Sequence, residues 1–129
     1  MFVYQHKVNY YETDRMGVTH HSNYFRFMEE ARVAYMDSIG ASYARVEADG
    51  VISPVIAIEG KFRQTTTFDD VIDISVCILE LSRLKLKIGY TMTCGGREVF
   101  EGWSLHCFLE NGKPVEIAKR YPQFAENFR

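Results

Sequence analysis

The sequence predicts a single α+β domain spanning residues 1–129, and three observations carry that expectation. Only the stretch from Tyr24 to Ile39 repeats its apolar residues at helical spacing over several turns. Nearly everything after Gly50 alternates apolar with polar residues, as strands do, and clusters of turn-forming residues separate the two textures. A helix with one apolar stripe followed by a run of antiparallel strands has to bury that stripe against one face of a sheet.

Phe2 to Tyr10, rich in aromatic and β-branched residues, reads as a first strand, ended by the turn-forming run Glu12-Thr13-Asp14-Arg15-Met16-Gly17. In the helix, Tyr24, Phe27, Met28, Ala31, Ala34, Tyr35 and Ile39 share a face, with Arg26, Glu29, Glu30, Arg32 and Asp37 mostly opposite. Ser22 or Asn23 is expected to cap its first N–H groups, and Gly40 to stop it in the left-handed conformation. Ile56, Ile58 and Phe62 then alternate with Ala57, Glu59, Lys61 and Arg63, and Ile72, Ile74, Val76 and Ile78 alternate around Asp73, Ser75 and Cys77. Leu84, Leu86, Ile88, Tyr90 and Met92 form a further strand, turned at Gly95-Gly96 into Val99–Leu105. Asn111-Gly112 marks another turn, and the tail from Ala118 to Arg129, broken by Pro122, holds at most a short helix. A sheet covered by one helix leaves an outer face or an edge open, so dimerisation is expected.

A hydrophobic share of 47% with 25% charged residues is that of an ordinary folded domain. The net charge of -2 provides no general attraction to nucleic acid or anionic membranes, so an anionic ligand must be met by a local patch. Cys77, Cys94 and Cys107 are odd in number, lack CxxC spacing and fall in apolar strands, which reads as buried free thiols in a reducing compartment. Met1 leads straight into strand-like residues without the features of a signal peptide, and no stretch approaches the roughly 20 apolar residues of a membrane span. A cytoplasmic protein is the expectation.

The densest chemistry lies between the first strand and the helix, in Tyr10-Tyr11-Glu12-Thr13-Asp14-Arg15-Met16-Gly17-Val18-Thr19-His20-His21-Ser22-Asn23-Tyr24. Free N–H groups at a helix start can stabilise a developing oxyanion, and a nearby aspartate can attack or activate water. Taken alone, Asp14 reads first as a turn aspartate capping its neighbours, and a histidine bonded to backbone is the second reading of His21. Glu12, Asp14, His20 and His21 are not expected to hold a metal, because adjacent histidines share no helical face and no HxxxH or HExxH spacing is present.

The pattern Tyr10-x-Glu12-Thr13-Asp14-x-x-Gly17-Val18-x-x-His21-x-Asn23-Tyr24 resembles the signature of the 4-hydroxybenzoyl-CoA thioesterase family, including its Tol-Pal-associated acyl-CoA thioesterases. Phe25 to Arg32 resembles that family's helix, and looser likeness runs through Phe62-Arg63, Phe68-Asp69-Asp70 and Asn111 to Val115. The resemblance implies a hotdog fold, a curved antiparallel sheet wrapped around one long helix, assembled as a homodimer or homotetramer with the active site across a subunit interface. It implies hydrolysis of an acyl-CoA, with Asp14 as the catalytic carboxylate, Tyr10 and His21 in support, and Gly17, Asn23 and Tyr24 shaping the substrate site. His20 stands where relatives often carry an aromatic residue and is taken as pocket-lining.

No cofactor is needed, since a carboxylate and an oxyanion site suffice for a thioester. Asp14 as base and Asp14 as nucleophile both remain open. For the CoA phosphates the candidates are Lys61, Arg63, Arg83, Lys85 and Lys87, with Ser82-Arg83 matching a nucleotide-contacting segment of the family; Lys85 and Lys87 read better as a solvated sheet face. Two other functions are open: a hotdog dehydratase or hydratase, for which no HFPG-like motif is present, and a noncatalytic acyl-CoA-binding module.

Overall fold

A computed structural model describes residues 1–128; Arg129, the last residue of the expected domain and tail, lies outside them. Strand β1 (Phe2–Lys7) leads through a 3-10 turn (Tyr10–Glu12) and a loop into α1 (Ser22–Ser38) and a short α2 (Tyr43–Ala48). Then come β2 (Val51–Ile52), β3 (Val55–Phe62), β4 (Val71–Leu81), β5 (Leu86–Cys94), β6 (Arg97–His106), β7 (Leu109–Glu110), β8 (Lys113–Pro114), α3 (Ile117–Arg120) and α4 (Pro122–Glu126). Five strands make one antiparallel sheet in the order β1-β4-β5-β6-β3, and β2, β7 and β8 form a small second sheet.

Alternation along the strands decides which face is inside. Ile72, Ile74, Val76 and Ile78 of β4 and Leu86, Ile88, Tyr90 and Met92 of β5 are buried, and the residues between them face out or are partly exposed. The covering face comes from α1, whose Tyr24, Phe27, Met28, Ala31, Tyr35 and Met36 are buried against that sheet face. Each of the large side chains among these contributes about 1.5–3 kcal/mol by leaving water, so the sheet and α1 stabilise one another far beyond what the helix would retain alone.

Several boundaries differ from the sequence reading. The first strand ends at Lys7, because the chain turns into the 3-10 segment once the Asn9 N–H is taken by the Glu12 carboxylate at 2.7 Å. Neither Ser22 nor Asn23 caps α1: the helix starts one residue before Asn23, His21 occupies the cap position without a side-chain bond, and both expected caps lie inside the first turn. Gly40 does end the helix, at φ +81°. Arg32 is buried instead of facing solvent. The helix α2, capped by the Ser42 hydroxyl on the Arg45 N–H at 3.1 Å, and the two-residue strands were not anticipated, and the tail forms two short helices separated at Tyr121. The three cysteines are free as expected, but only Cys94 is buried: Cys77 points outward from β4 and is exposed, and Cys107 lies just past the end of β6 and is partly exposed.

Strand β3 is an edge. Its register to β6 is set on one side, from Val55 opposite His106 to Phe62 opposite Phe100, while Val55, Ile56, Ile58 and Phe62 stay exposed. An apolar edge with unpaired backbone is a template for another strand. Gly60 sits where β3 passes over the Phe100 ring: a methyl built there would stand 2.6 Å from Phe100 Cε2.

Candidate active site

The loop from Thr13 to Thr19 closes on itself as a small antiparallel bridge. The Asp14 N–H donates to the Val18 carbonyl at 2.9 Å, the His20 N–H to the Glu12 carbonyl at 2.8 Å, and the Gly17 N–H to the Asp14 carbonyl at 3.0 Å. Gly17 takes φ +81° at the turn, and its carbonyl accepts from the Thr67 hydroxyl at 2.7 Å. Thr19 Oγ1 and the Tyr24 hydroxyl both meet Thr66 Oγ1, at 2.7 and 2.8 Å, which anchors loop and helix to the chain leaving β3. Burial holds the Tyr24 phenol above its usual range, partly offset by its hydroxyl bonds, so at neutral pH it is a protonated, neutral group.

Asp14 is half-buried. Its Oδ1 accepts the Met16 N–H at 2.8 Å, the turn role open to any aspartate here, and Oδ2 has no partner among the described residues. One oxygen thus positions the carboxylate and the other is free to react. Two clefts meet at this residue. One, of about 250 Å³, is largely apolar, walled by Met16, Val18, Tyr24 and Phe62 with His21 and Arg63 beside them. The other, of about 430 Å³, is polar and lined by His20, Ser22, Asn23, Arg26 and Glu30.

At the helix start most donors are already committed. The Ser22 N–H meets His20 Nδ1 at 3.2 Å, and the Asn23 and Tyr24 N–H groups donate to the His20 and His21 carbonyls at 3.0 and 3.2 Å. Among the described residues the His21 N–H has no partner, which leaves one backbone donor at the positive end of α1. The His21 ring packs edge-on to Phe62, centroids 6.2 Å apart, and lines the apolar cleft with Asp14.

The other sequence candidates divide. Asn23 is buried and structural, donating its amide to the Glu12 carbonyl at 2.9 Å. Tyr10 lies outside both clefts, 76% exposed and edge-on to Phe68, and its carbonyl holds the Thr13 hydroxyl at 2.7 Å. Arg63 reaches the apolar cleft but is engaged with Glu101 and, at 3.9 Å, Glu98. Lys61 points to the opposite sheet face, into a groove with Glu59, Leu79 and Trp103. Ser82 and Arg83 form the β4–β5 turn, where Arg83 pairs with Glu116 at 3.4 Å. The Val71 end of β4 is the end near the loop and the turn follows Leu81, so the two are separated by roughly 33 Å of strand within one chain. Lys85 and Lys87 sit at that same far end, Lys87 over the Trp103 ring at 4.2 Å.

Two polar clusters escaped the sequence reading. Arg32 donates to the Tyr43 and Tyr90 hydroxyls at 2.7 and 3.0 Å, and Tyr90 continues through Ser104 to His106 in 2.7 Å steps. His6, buried at the end of β1, lies between Glu12 and Glu30 at 2.8 and 3.1 Å. Both depend on residues distant in sequence, and no local motif announces them.

The family model of the thioesterase-like superfamily matches residues 8–128. The chain is 34% identical over 118 residues to a candidate esterase of Aquifex aeolicus (strain VF5), covering 92% of each, and 29% identical over 121 residues to a candidate acyl-CoA thioesterase, YneP, of Bacillus subtilis (strain 168), covering 92% of this chain and 88% of that one. Among solved structures, the DHNA-CoA thioesterase of Staphylococcus aureus superposes with a TM-score of 0.89 at 26% identity, covering 97% of this chain and 86% of the other. The 4-hydroxybenzoyl-CoA thioesterase of Pseudomonas sp. strain CBS-3 shares the fold, with a TM-score of 0.85 at 23% identity over 95% and 97% of the two chains.

Proposed function

The chain belongs to the thioesterase-like superfamily, a hotdog thioester hydrolase, and from that premise we propose that it hydrolyses acyl-CoA thioesters to free acid and CoA at Asp14. The observation that carries this reading is the position of Asp14: a carboxylate with one fixed and one free oxygen, where an apolar cleft meets a polar one beside the unpaired His21 N–H.

The chemistry follows from that placement. The acyl group enters the apolar cleft between Tyr24 and Phe62, and the thioester carbonyl oxygen accepts the His21 N–H, which grows stronger as charge builds on that oxygen. Asp14 either takes a proton from water as its oxygen attacks the carbonyl carbon, or attacks that carbon itself to form an anhydride that water then opens. In each case the C–S bond breaks and the thiolate leaves. The His21 ring, in the same cleft, orients water or protonates the departing sulfur. Gly17 supplies the turn that presents Asp14.

The same reading places the molecule in the cytoplasm as a homodimer or homotetramer, with β3 as the pairing edge. No helix among the described residues is long and apolar enough to cross a membrane. Ser82 and Arg83, remote from Asp14 in their own chain, serve CoA across such an interface, while Arg63 serves it from within and Lys61 from the opposite sheet face.

Thiol release from a panel of acyl-CoAs, followed with a disulfide reagent, tests the reading. Asp14→Asn keeps the Met16 contact and should lower kcat by about 10²–10⁴-fold with the fold and assembly unchanged. Unaltered turnover in Asp14→Asn refutes it, and absence of thiol release by the wild type across the panel favours a noncatalytic binder. Solvent oxygen-18 appearing in Asp14 after one turnover selects attack by Asp14; its absence selects attack by water.

A further inference from the structure

We propose that His6 is a positioning residue: as an imidazolium held between Glu12 and Glu30, it straps the loop that carries Asp14 to the third turn of α1. The inference rests on the thioesterase reading above for its kinetic consequences and on geometry alone for the strap. His6 is 8% exposed, and its two ring nitrogens meet different carboxylates, Nε2 that of Glu12 at 2.8 Å and Nδ1 that of Glu30 at 3.1 Å. A neutral imidazole has one donor and one acceptor nitrogen, and an ionised carboxylate only accepts. Both contacts are therefore hydrogen bonds only when the three groups hold one more proton than a neutral ring and two carboxylates would.

Every other group facing the ring fits that state. The Asn9 N–H donates to the same Glu12 oxygen at 2.7 Å, and the Tyr4 hydroxyl to the same Glu30 oxygen at 2.9 Å. Burial and the Glu30 carboxylate hold the Tyr4 phenol above its usual range, so it remains a donor. The Phe27 ring lies against His6 with centroids 4.1 Å apart, and Arg26 and His20 line the cleft onto which both carboxylates open. The potential ligand atoms of His6, Glu12 and Glu30 lie within 4.8 Å of one another. A metal would need one ring nitrogen and both carboxylates to converge on a point, whereas here the carboxylates sit at opposite nitrogens.

The strap reaches the reacting groups through Glu12. While its side chain is held by His6, its backbone carbonyl accepts the His20 N–H at 2.8 Å and the Asn23 amide at 2.9 Å, fixing the residues that flank His21. Glu12 is also two residues before Asp14, and Glu30 is on α1, so one buried cation holds β1, the loop and the helix in register. Loss of its proton leaves one carboxylate facing a lone pair, and the loop and helix separate by a fraction of a hydrogen-bond length or more.

Nitrogen-15 spectra of the wild-type protein at about pH 7 should show both His6 nitrogens protonated; a neutral tautomer overturns the proposal whatever the substrate. In kinetics, His6→Phe keeps the stack on Phe27 and should lower kcat about 10- to 100-fold, the cost of a misplaced catalytic group, with KM little changed. Glu30→Gln is the decisive variant. Its amide donates to a neutral His6 and to the Tyr4 oxygen, closing the strap without the added proton, so kcat should be retained. Glu30→Ala should lose kcat as His6→Phe does. If Glu30→Gln loses kcat as Glu30→Ala does, or Glu30→Ala keeps full kcat, the strap has no positioning role. A wild type that hydrolyses no acyl-CoA defeats the thioesterase reading, and the nitrogen spectra still decide the strap.

Discussion

Acid should weaken this fold through a single buried imidazole. His106 is 1% exposed at the end of β6 and closes a chain in which Arg32 donates to the Tyr90 hydroxyl, Tyr90 meets Ser104 and Ser104 meets His106 Nε2, while Nδ1 has no hydrogen-bond partner among the described residues. A second ring proton would leave the buried Nδ1–H unbonded, which favours the neutral imidazole. Burial first, and then the Arg32 charge, push its pKa from 6.5 down to about 3. The unfolded chain takes up a proton below about pH 6.5 and the folded one does not until about pH 3, so the stabilisation is complete above the first value and is lost as pH falls toward the second. Each unit in that window costs about 1.4 kcal/mol, or roughly 3 kcal/mol by about pH 4.5. Urea unfolding of the wild type and of His106→Gln at about pH 7.5 and 4.5 isolates the effect, because the carboxylates titrate in both proteins and cancel in the difference. The wild type should lose roughly 3 kcal/mol more than the variant across the interval. Equal losses would refute the neutral, buried assignment.

Gly60→Ala should destabilise the protein by about 1–3 kcal/mol in the same unfolding assay, since its methyl meets Phe100, which is buried and stacked on Tyr24 at 5.2 Å and has no room to swing aside. Phe100 also backs Phe62, 5.2 Å away in the apolar cleft, so KM for acyl-CoA should rise in that variant. Tyr90→Phe leaves Arg32 short of an acceptor inside the core and should cost about 1–3 kcal/mol, more than Tyr43→Phe, whose ring is only half-buried.

What hydropathy could reveal and what it could not follow from the same physics. The stripe of α1, the strands around Ile72–Ile78 and Leu86–Met92, and the turn at Gly95-Gly96 are periodic or carry turn chemistry, so they are legible residue by residue. The β2, β7 and β8 pairs are two residues long, too short to show any period. Arg32 lies on the buried side of α1, one turn from Met28 and Tyr35, yet its charge assigns it to solvent; the phenols that make burial tolerable come from Tyr43 and Tyr90, brought in by the fold. At the site, the motif located Asp14, Gly17 and His21 together, and the structure sets Asp14 and His21 along one cleft, with Gly17 in the turn that follows Asp14. Asn23 is equally part of the motif but acts by holding the Glu12 carbonyl, a role that spacing cannot distinguish from substrate contact. His6 is invisible for a further reason: its two partners lie 6 and 24 residues away, on separate elements.

The distance between Asp14 and Arg83 also bears on why the β3 edge is left apolar. Val55 of β3 lies opposite His106 of β6, and His106 lies opposite Leu86 of β5, the strand that follows the Ser82–Arg83 turn. The Phe62 end of β3 borders the Asp14 cleft instead. An antiparallel pairing of β3 with a second copy reverses the strand, so it sets the Phe62 end of each chain against the Val55 end of the other. On the proposed assembly, then, the turn that is remote from Asp14 in its own chain comes alongside the Asp14 cleft of its neighbour. Val55, Ile56 and Ile58, exposed in a single chain, are covered by the same contact. On that assembly the Asp14 cleft of one chain and the Ser82–Arg83 turn of the other would meet one acyl-CoA at its two ends, and hydrolysis would then depend on assembly.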